Sequence, residues 1–225
     1  MTVRSSNPAA LHVRPARPTS EAGPGLQSIP VAGGAEALLY VPAGYRPDTP
    51  APLVVALHGA GGDARNGLLP LQAMADSAGI VLLSPGSAGR TWDVIVGGFG
   101  RDVARLDEAL AAAFDRVATD PARLAVSGFS DGASYALSIG ITNGDLFTHV
   151  IAFSPGFMAP AGQRGAPRIF IAHGTGDTVL PIDRCSRRVV PQLRGAGYDV
   201  DYREFDGGHV VPAEMARAAA EWLGR

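Results

Sequence analysis

Residues 124–137 read Leu124-Ala-Val-Ser-Gly-Phe-Ser-Asp-Gly-Ala-Ser-Tyr-Ala-Leu137. The first four residues have the pattern of a buried strand, and the residues from Ala133 onward are typical of a helix. Ser130 lies between them, with Gly128 and Gly132 two residues away on either side. A tight strand-to-helix turn needs such small neighbours, and it points the serine hydroxyl outward at the helix N-terminus. Ser130 is therefore a candidate nucleophile; the alternative is a glycine-rich turn whose serine caps the helix.

Short apolar runs alternate with helix-like segments along most of the chain. Two runs, residues 52–57 and 80–83, are apolar at every position, as expected for strands covered on both faces. Such alternation predicts a mostly parallel sheet with helices on both sides, in one three-layer α/β domain over residues 26–225. Strands are predicted at 36–41, 52–57, 80–84, 123–127, 149–153, 168–172 and 198–205, and helices at 69–78, 101–117, 133–142, 182–194 and 212–223.

The composition is that of a globular protein without an unusual charge. The net charge of -2 gives no reason to expect a nucleic acid as partner, and the single cysteine, Cys185, excludes an internal disulfide and a multi-cysteine metal site. Residues 1–25 are rich in Pro, Ser, Ala and Arg, so a flexible N-terminal tail is expected there. No apolar stretch has the length of a signal peptide or a membrane span, and the expected location is cytoplasmic.

A histidine near the C-terminus is a candidate base for Ser130. When a serine on such a turn is a nucleophile, an acid and then a histidine follow it along the chain. His209 lies after the last predicted strand, whereas His149 opens an apolar run and His173 precedes the best-placed acid. A serine hydroxyl becomes a good nucleophile when a histidine nitrogen takes its proton. The alternative for His209 is an ordinary histidine on a surface loop.

The candidate acid is Asp177, which directly follows the predicted strand 168–172 in His173-Gly-Thr-Gly-Asp177. This position places its carboxylate at the same edge of the sheet as Ser130. A carboxylate fixes the tautomer of the histidine and stabilises its charged form. Four other acids fit less well. Asp206 is too close along the chain to His209 to reach its far nitrogen easily. Asp199 and Asp201 belong to the last predicted strand, and Asp183 falls in the first turn of a helix.

A glycine-rich loop follows the predicted strand 52–57 and reads His58-Gly-Ala-Gly-Gly-Asp63. The oxyanion of acyl transfer needs two backbone N–H donors, one from the residue after the nucleophile and one from this loop. The candidates are Asp131 and Ala60, with Gly61 next. The same loop matches a dinucleotide fingerprint, Gly59-x-Gly61-x-x-Ala64, but the next strand lacks the acid that would hold a ribose.

With these residues identified, the chain resembles the phospholipase/carboxylesterase (predicted esterase) family of the α/β-hydrolase superfamily. The resemblance implies the α/β-hydrolase fold without a cap domain, and hydrolysis of carboxylic esters or thioesters without a cofactor or metal. Two positions differ from many relatives, namely Asp131 in place of Gln and the small Ala60. The motifs that carry the resemblance are 57–63, Gly128-Phe-Ser-Asp-Gly132, His173-Gly-Thr-Gly-Asp177 with Val179-Leu-Pro181, and Gly207-Gly-His209.

The sequence therefore predicts a serine carboxylesterase that acts on short- to medium-chain esters through Ser130, His209 and Asp177. A thioesterase or lysophospholipase with the same residues, a dinucleotide-binding oxidoreductase and a non-catalytic binding module are the alternatives. The expected partner is a small-molecule ester, and a homodimer is compatible with the sequence. Candidates for substrate contact, for which ordinary core packing is the alternative, are Gly61, Trp92, Phe129, Phe157 and Met158.

Overall fold

A single sheet forms the centre of the computed structural model, which describes residues 7–31 and 35–225. Eight strands belong to it within these residues. They are β1 (Gly25–Val31), β2 (Ala35–Val41), β3 (Ala51–Leu57), β4 (Val81–Pro85), β5 (Thr119–Phe129), β6 (His149–Phe153), β7 (Arg168–Gly174) and β8 (Val200–Phe205).

Helices connect most of the strands from β3 onward. They are α1 (Ala64–Ala78), α2 (Asp93–Val96), α3 (Arg101–Phe114), α4 (Asp131–Thr142), α5 (Ser186–Gly195) and α6 (Ala213–Leu223), with a 3-10 turn at Ile182–Arg184. Apolar residues of α3, α4 and α5 share one buried cluster with the sheet, and those of α1 and α6 share the other. The expected three-layer α/β sandwich is confirmed.

The strand order is β1-β2-β4-β3-β5-β6-β7-β8. The pairs β1–β2 and β2–β4 are antiparallel, and every pair from β4 to β8 is parallel. The direction in which the sheet grows reverses at β3, which has β4 on one side and β5 on the other. In such sheets ligands bind outside the carboxyl ends of the strands at this reversal. The loops after β3 and β5 therefore border the expected site.

All the predicted strands are present. The differences from the prediction lie at the ends of helices, at one edge of the sheet and in one short helix. Helix α1 begins at Ala64, five residues before the predicted start, because Asp63 caps it and accepts a hydrogen bond from the Asn66 amide at 2.9 Å. The predicted helix 182–194 is divided into a 3-10 turn and α5. Strand β1 and the single-turn helix α2 were not predicted.

The described part of the expected N-terminal tail, residues 7–24, is held against the domain. Ala9 and Leu11 are buried, and the Leu11 amide donates to Asn143 Oδ1 at 2.8 Å. Asn143 Nδ2 in turn donates to the Ala9 carbonyl at 2.8 Å. The prediction of a flexible tail is therefore wrong for residues 9–11. Residues 1–6 of the predicted tail lie outside the described residues. No helix in the described part of the chain is long and apolar enough to cross a membrane.

Candidate active site

Ser130 lies on the sharp turn that joins β5 to α4. Its backbone has φ 58° and ψ -120°, a strained conformation that a non-glycine residue rarely adopts. A Cβ at Gly128 would overlap the backbone of Gly132, and a Cβ at Gly132 would lie 2.5 Å from the His58 carbonyl oxygen. The two glycines therefore allow β5, α4 and the loop after β3 to approach one another closely, as the sequence predicts.

His209 joins Ser130 to Asp177. Its Nε2 lies 2.9 Å from Ser130 Oγ, and its Nδ1 lies 2.6 Å from Asp177 Oδ2. Because the carboxylate accepts from Nδ1–H, the lone pair of a neutral imidazole is on Nε2 and faces the serine hydroxyl. The Phe129 ring packs beside the imidazole with 4.7 Å between centroids. The sequence-predicted serine, histidine and acid thus form one hydrogen-bonded chain.

Asp177 is held rigidly on its loop. Its Oδ1 accepts hydrogen bonds from the amides of Val179 at 2.9 Å and Leu180 at 2.8 Å, and its side chain is fully buried. Burial raises the pKa of the Asp177 carboxyl, but the hydrogen bonds from His209 and from these amides outweigh it, so the pKa lies below the ordinary value. Asp177 is therefore charged at neutral pH, as an acid that orients a histidine must be.

None of the four rival acids forms a hydrogen bond with His209 in the described part of the chain. Asp183 pairs with Arg187, Asp199 with Arg168 and Asp201 with Arg203, at the surface in each case. Asp206 is exposed and does not contact His209 through any recorded hydrogen bond within the described residues.

A second histidine contacts Asp177, and sequence analysis did not assign it a role. His173 is fully buried, with Nε2 2.8 Å from the Leu180 carbonyl oxygen and 3.3 Å from Asp177 Oδ2. Its Nδ1 lies 2.6 Å from Ser186 Oγ. Burial lowers the pKa of His173 despite the hydrogen bond to Leu180 and the nearby carboxylate, so the ring is neutral at pH 7. The signal in the sequence is its position, four residues before the acid at the end of a buried strand.

The backbone amides of Ala60 and Asp131 are the oxyanion donors that the sequence predicts. Within residues 7–31 and 35–225, neither the Ala60 amide nor the Asp131 amide donates a recorded hydrogen bond. The Gly61 amide, which was the next candidate, donates to the Arg90 carbonyl at 2.6 Å. Gly61 is therefore occupied in holding the loop. The Asp131 carboxylate accepts from Thr91 Oγ1 at 2.6 Å, which ties the turn that carries Ser130 to the loop before α2.

Trp92 packs under the loop that follows β3 and is not exposed to a substrate, contrary to the prediction that it contacts substrate. The residue is fully buried, and its Nε1–H donates to the His58 carbonyl at 2.8 Å. Its ring packs between those of His58 and Tyr135, with centroid distances of 4.8 and 5.0 Å. A large aromatic residue after a glycine-rich stretch looks the same in the sequence whether it faces substrate or core. Here it fixes the loop that carries Ala60.

A cleft of about 570 Å³ adjoins His209 and the glycine loop. Gly61 and Phe129 are on its wall, as predicted, whereas Phe157 and Met158 are not. Met158 packs against the core, and Phe157 is 37% exposed outside the cleft. The contributions of α1 and of the His209 loop were not predicted; among them, Asn66 lies before the predicted start of the helix at residue 69. The cleft is lined by Gly59, Ala60, Gly61, Gly62, Asn66, Leu69, Pro70, Phe129, His209, Val210 and Val211.

Cys185, groups of possible metal ligands and the N-terminus of α1 are the other places in the described part of the chain where a site could be expected. Cys185 is buried, and burial raises the pKa of its thiol, which leaves it protonated and unreactive. Within residues 7–31 and 35–225, no group of three or more His, Cys, Asp or Glu side chains is arranged to hold a metal ion. The N-terminus of α1, where a dinucleotide would place its pyrophosphate, is capped by the Asp63 carboxylate. An anion there would meet a negative charge.

Comparison with known proteins finds similarity to esterases. No family model matches the chain. The chain is 28% identical over 159 residues to feruloyl esterase C of Emericella nidulans; the match covers 67% of this chain and 57% of that esterase. This curated relative is thus considerably longer than the matched segment.

Two esterases are among the solved structures of similar fold. Esterase PE8 is 26% identical, with a TM-score of 0.61 over 90% of this chain and 99% of that one. The acetyl xylan esterase from Aspergillus awamori has a TM-score of 0.70 at 18% identity, over 89% of this chain and 99% of that one, which is a similarity of fold. The strand order and these similarities lead to one conclusion. The chain has the α/β-hydrolase fold and is similar to esterases.

Proposed function

We propose that this protein is a serine carboxylesterase that hydrolyses short- to medium-chain carboxylic esters through an acyl-enzyme on Ser130. The observation that carries the proposal is the position of His209, 2.9 Å from Ser130 Oγ and 2.6 Å from Asp177 Oδ2. The similarity to feruloyl esterase C and to esterase PE8 supports an ester as the substrate.

Acylation follows from these distances. Ser130 Oγ attacks the carbonyl carbon while His209 Nε2 takes the hydroxyl proton, and the Asp177 carboxylate stabilises the resulting imidazolium. The carbonyl oxygen becomes an oxyanion that accepts from the Ala60 and Asp131 amides. The C–O bond to the alcohol then breaks as His209 Nε2–H gives its proton to the leaving oxygen, and the acyl group stays on Ser130.

Deacylation repeats these steps with water. His209 Nε2 takes a proton from the water molecule as its oxygen attacks the acyl carbon, and the same two amides receive the oxyanion. The bond to Ser130 Oγ then breaks, and His209 returns the proton to the serine. The carboxylic acid leaves, and the Ser130 hydroxyl and the neutral His209 imidazole are regenerated.

The proposal is tested by comparing the wild type with Ser130→Ala on p-nitrophenyl acetate, butyrate and octanoate. We expect turnover by the wild type and a loss in kcat/KM of about 10³-fold or more in the variant, because the nucleophile is gone. Equal activity of the two proteins would show that Ser130 is not the nucleophile. The trend from acetate to octanoate tests the expected chain length.

A further inference from the structure

Asn66 presents a fixed hydrogen-bond donor beside the candidate active site. Its Oδ1 accepts from the Asp63 amide at 3.0 Å, and its own amide donates to Asp63 Oδ1 at 2.9 Å. Because the Asp63 N–H needs an acceptor, the oxygen of the Asn66 amide must face it and the nitrogen must face away. Within residues 7–31 and 35–225, no recorded hydrogen bond uses Asn66 Nδ2.

This donor is on the wall of the cleft that adjoins His209. Leu69, one turn along α1 from Asn66, and Val210, next to His209, are 62% and 52% exposed and also line the cleft. Phe129 adds an aromatic ring. Asn66 and His209 are the polar side chains among the residues that line the cleft, and none of those lining residues carries a formal charge with His209 neutral.

The position of His209 decides which part of an ester enters the cleft. His209 Nε2 must give its proton to the leaving oxygen, so the alcohol part of the substrate has to lie next to it. The cleft is the space that adjoins His209, between α1 and the loop before α6. The acyl part is attached to the other side of the carbonyl carbon and points away from His209.

We propose that this cleft binds a neutral, hydroxylated alcohol, such as glycerol or a sugar, and that Asn66 Nδ2 donates a hydrogen bond to a second oxygen of that alcohol. The inference rests on the proposed esterase function. The C–H faces of a polyol pack against Leu69, Val210 and Phe129, while its hydroxyl oxygens can accept from Asn66. A charged leaving group, such as choline or a phosphorylated thiol, loses hydration in the cleft without gaining an opposite charge.

Three butyrate esters test this inference, because they share the acyl group and differ in the alcohol: glycerol 1-monobutyrate, ethyl butyrate and butyrylcholine. The variant is Asn66→Asp, which keeps an acceptor for the Asp63 amide. The helix dipole favours the new charge and the Asp63 carboxylate opposes it, so urea unfolding is used to check that the variant is folded. It lacks the Nδ2 donor and adds a charge to the cleft.

We expect the ratio of kcat/KM for the glycerol ester to that for the ethyl ester to fall about 5-fold in Asn66→Asp, as for the loss of one hydrogen bond. The corresponding ratio for butyrylcholine should rise, because the new carboxylate attracts the quaternary ammonium group. Arg65→Gln is the matched control. It changes the net charge by the same amount at an exposed neighbouring residue that does not line the cleft, so both ratios should stay within about twofold of the wild type.

Unchanged ratios in Asn66→Asp would overturn the inference while leaving the esterase function intact. Equal changes in Asn66→Asp and Arg65→Gln would also overturn it, since they would reflect the field of the whole surface. Failure of the wild type to hydrolyse any of the three esters would count against the esterase function itself, and the inference would fall with it.

Discussion

Asp177 Oδ2 lies within reach of two imidazoles, and only one of them faces Ser130. His173 Nε2 lies near the Leu180 carbonyl and the Asp177 carboxylate, neither of which can donate, so Nε2 must carry the proton. With the ring neutral, Nδ1 is an acceptor and Ser186 Oγ–H donates to it. His173 is thereby fixed in one tautomer that holds Leu180, and through it the two amides that orient Asp177.

Replacing His173 tests how far catalysis depends on this support. In His173→Leu we expect kcat to fall about 10- to 100-fold with a small change in KM, because Asp177 and His209 are no longer held in position. His173→Gln keeps an N–H near the Leu180 carbonyl and should lose less. Rates are divided by the concentration of sites that an organophosphonate labels, which corrects for misfolded protein. Wild-type kcat per labelled site in His173→Leu would show that the histidine serves stability alone.

Single residues differ in how far their environment can be inferred from the sequence. Ser130, Asp177 and His209 stand at strand ends in a fixed order, and a parallel sheet brings strand ends together, so their meeting could be predicted. Trp92 could not be placed, because the side of a loop that an aromatic residue faces depends on packing by distant residues. Asn66 was missed although Asp63 three residues earlier forms a capping box with it, a pattern that the sequence does contain.

At the scale of elements, the site depends on how closely α4 approaches the end of β3. Gly132, in the first turn of α4, packs against the carbonyl groups of Leu57 and His58, and this contact sets the distance between the two candidate oxyanion donors. In Gly132→Ala the added methyl group overlaps these carbonyls. We expect a loss of about 1–3 kcal/mol in the free energy of unfolding, measured with urea, together with a lower kcat.

Gly195→Ala is a suitable control for that variant. Gly195 ends α5, and a Cβ there would meet no atom within 4 Å. The substitution should leave kcat unchanged and stabilise the protein slightly, since alanine loses less backbone entropy in a helix. Wild-type kcat and stability in Gly132→Ala would mean that the turn can relax, and that close packing of α4 on β3 is not required.

Elements buried on both faces were the easiest to predict. β3 and β4 are buried at every position, and residues 52–57 and 80–83 read as unbroken apolar runs. β1 was missed because it is an edge strand with alternating exposed and buried residues and a proline, Pro30, which looks like a loop in the sequence. The first turn of α1 was missed because it contains Gly67, which is needed where a side chain would collide with the Ala56 carbonyl.

At the scale of the whole molecule, the N-terminal segment joins two helices that lie on one side of the sheet. Arg14 pairs with Asp145 at 2.7 Å, beyond the end of α4, and the His12 and Val13 amides donate to Asp107 of α3 at 2.8 and 3.0 Å. This segment thus connects α3 to the end of α4. Composition alone predicted a loose tail there, because the few apolar residues that anchor it, such as Leu11, are isolated in the sequence.

Burial of histidines in this domain makes its stability depend on pH. His149 is 6% exposed at the start of β6, where its ring packs on Trp222 at 5.1 Å and its Nδ1 lies 2.9 Å from Thr148 Oγ1. Burial, with the nearby positive charge of Arg168, lowers the pKa of His149 from 6.5 to about 4. The unfolded chain therefore binds a proton at this residue at pH values where the folded chain does not. Above about pH 6.5 neither state binds this proton, and the free energy of unfolding has its full value. As the pH falls from 6.5 toward 4, protonation of the unfolded chain lowers the free energy of unfolding.

Replacing His149 with glutamine should reduce this dependence. Between pH 7 and pH 5 the pKa difference at His149 corresponds to about 2 kcal/mol, so the wild type should lose about that much more unfolding free energy over this interval than His149→Gln. Urea unfolding at the two pH values measures the difference, and any constant effect of the substitution on packing cancels. His12→Gln, at an exposed histidine, is the control and should lose as much as the wild type. An equal loss in His149→Gln and the wild type would mean that burial does not lower the pKa of His149 in the folded protein.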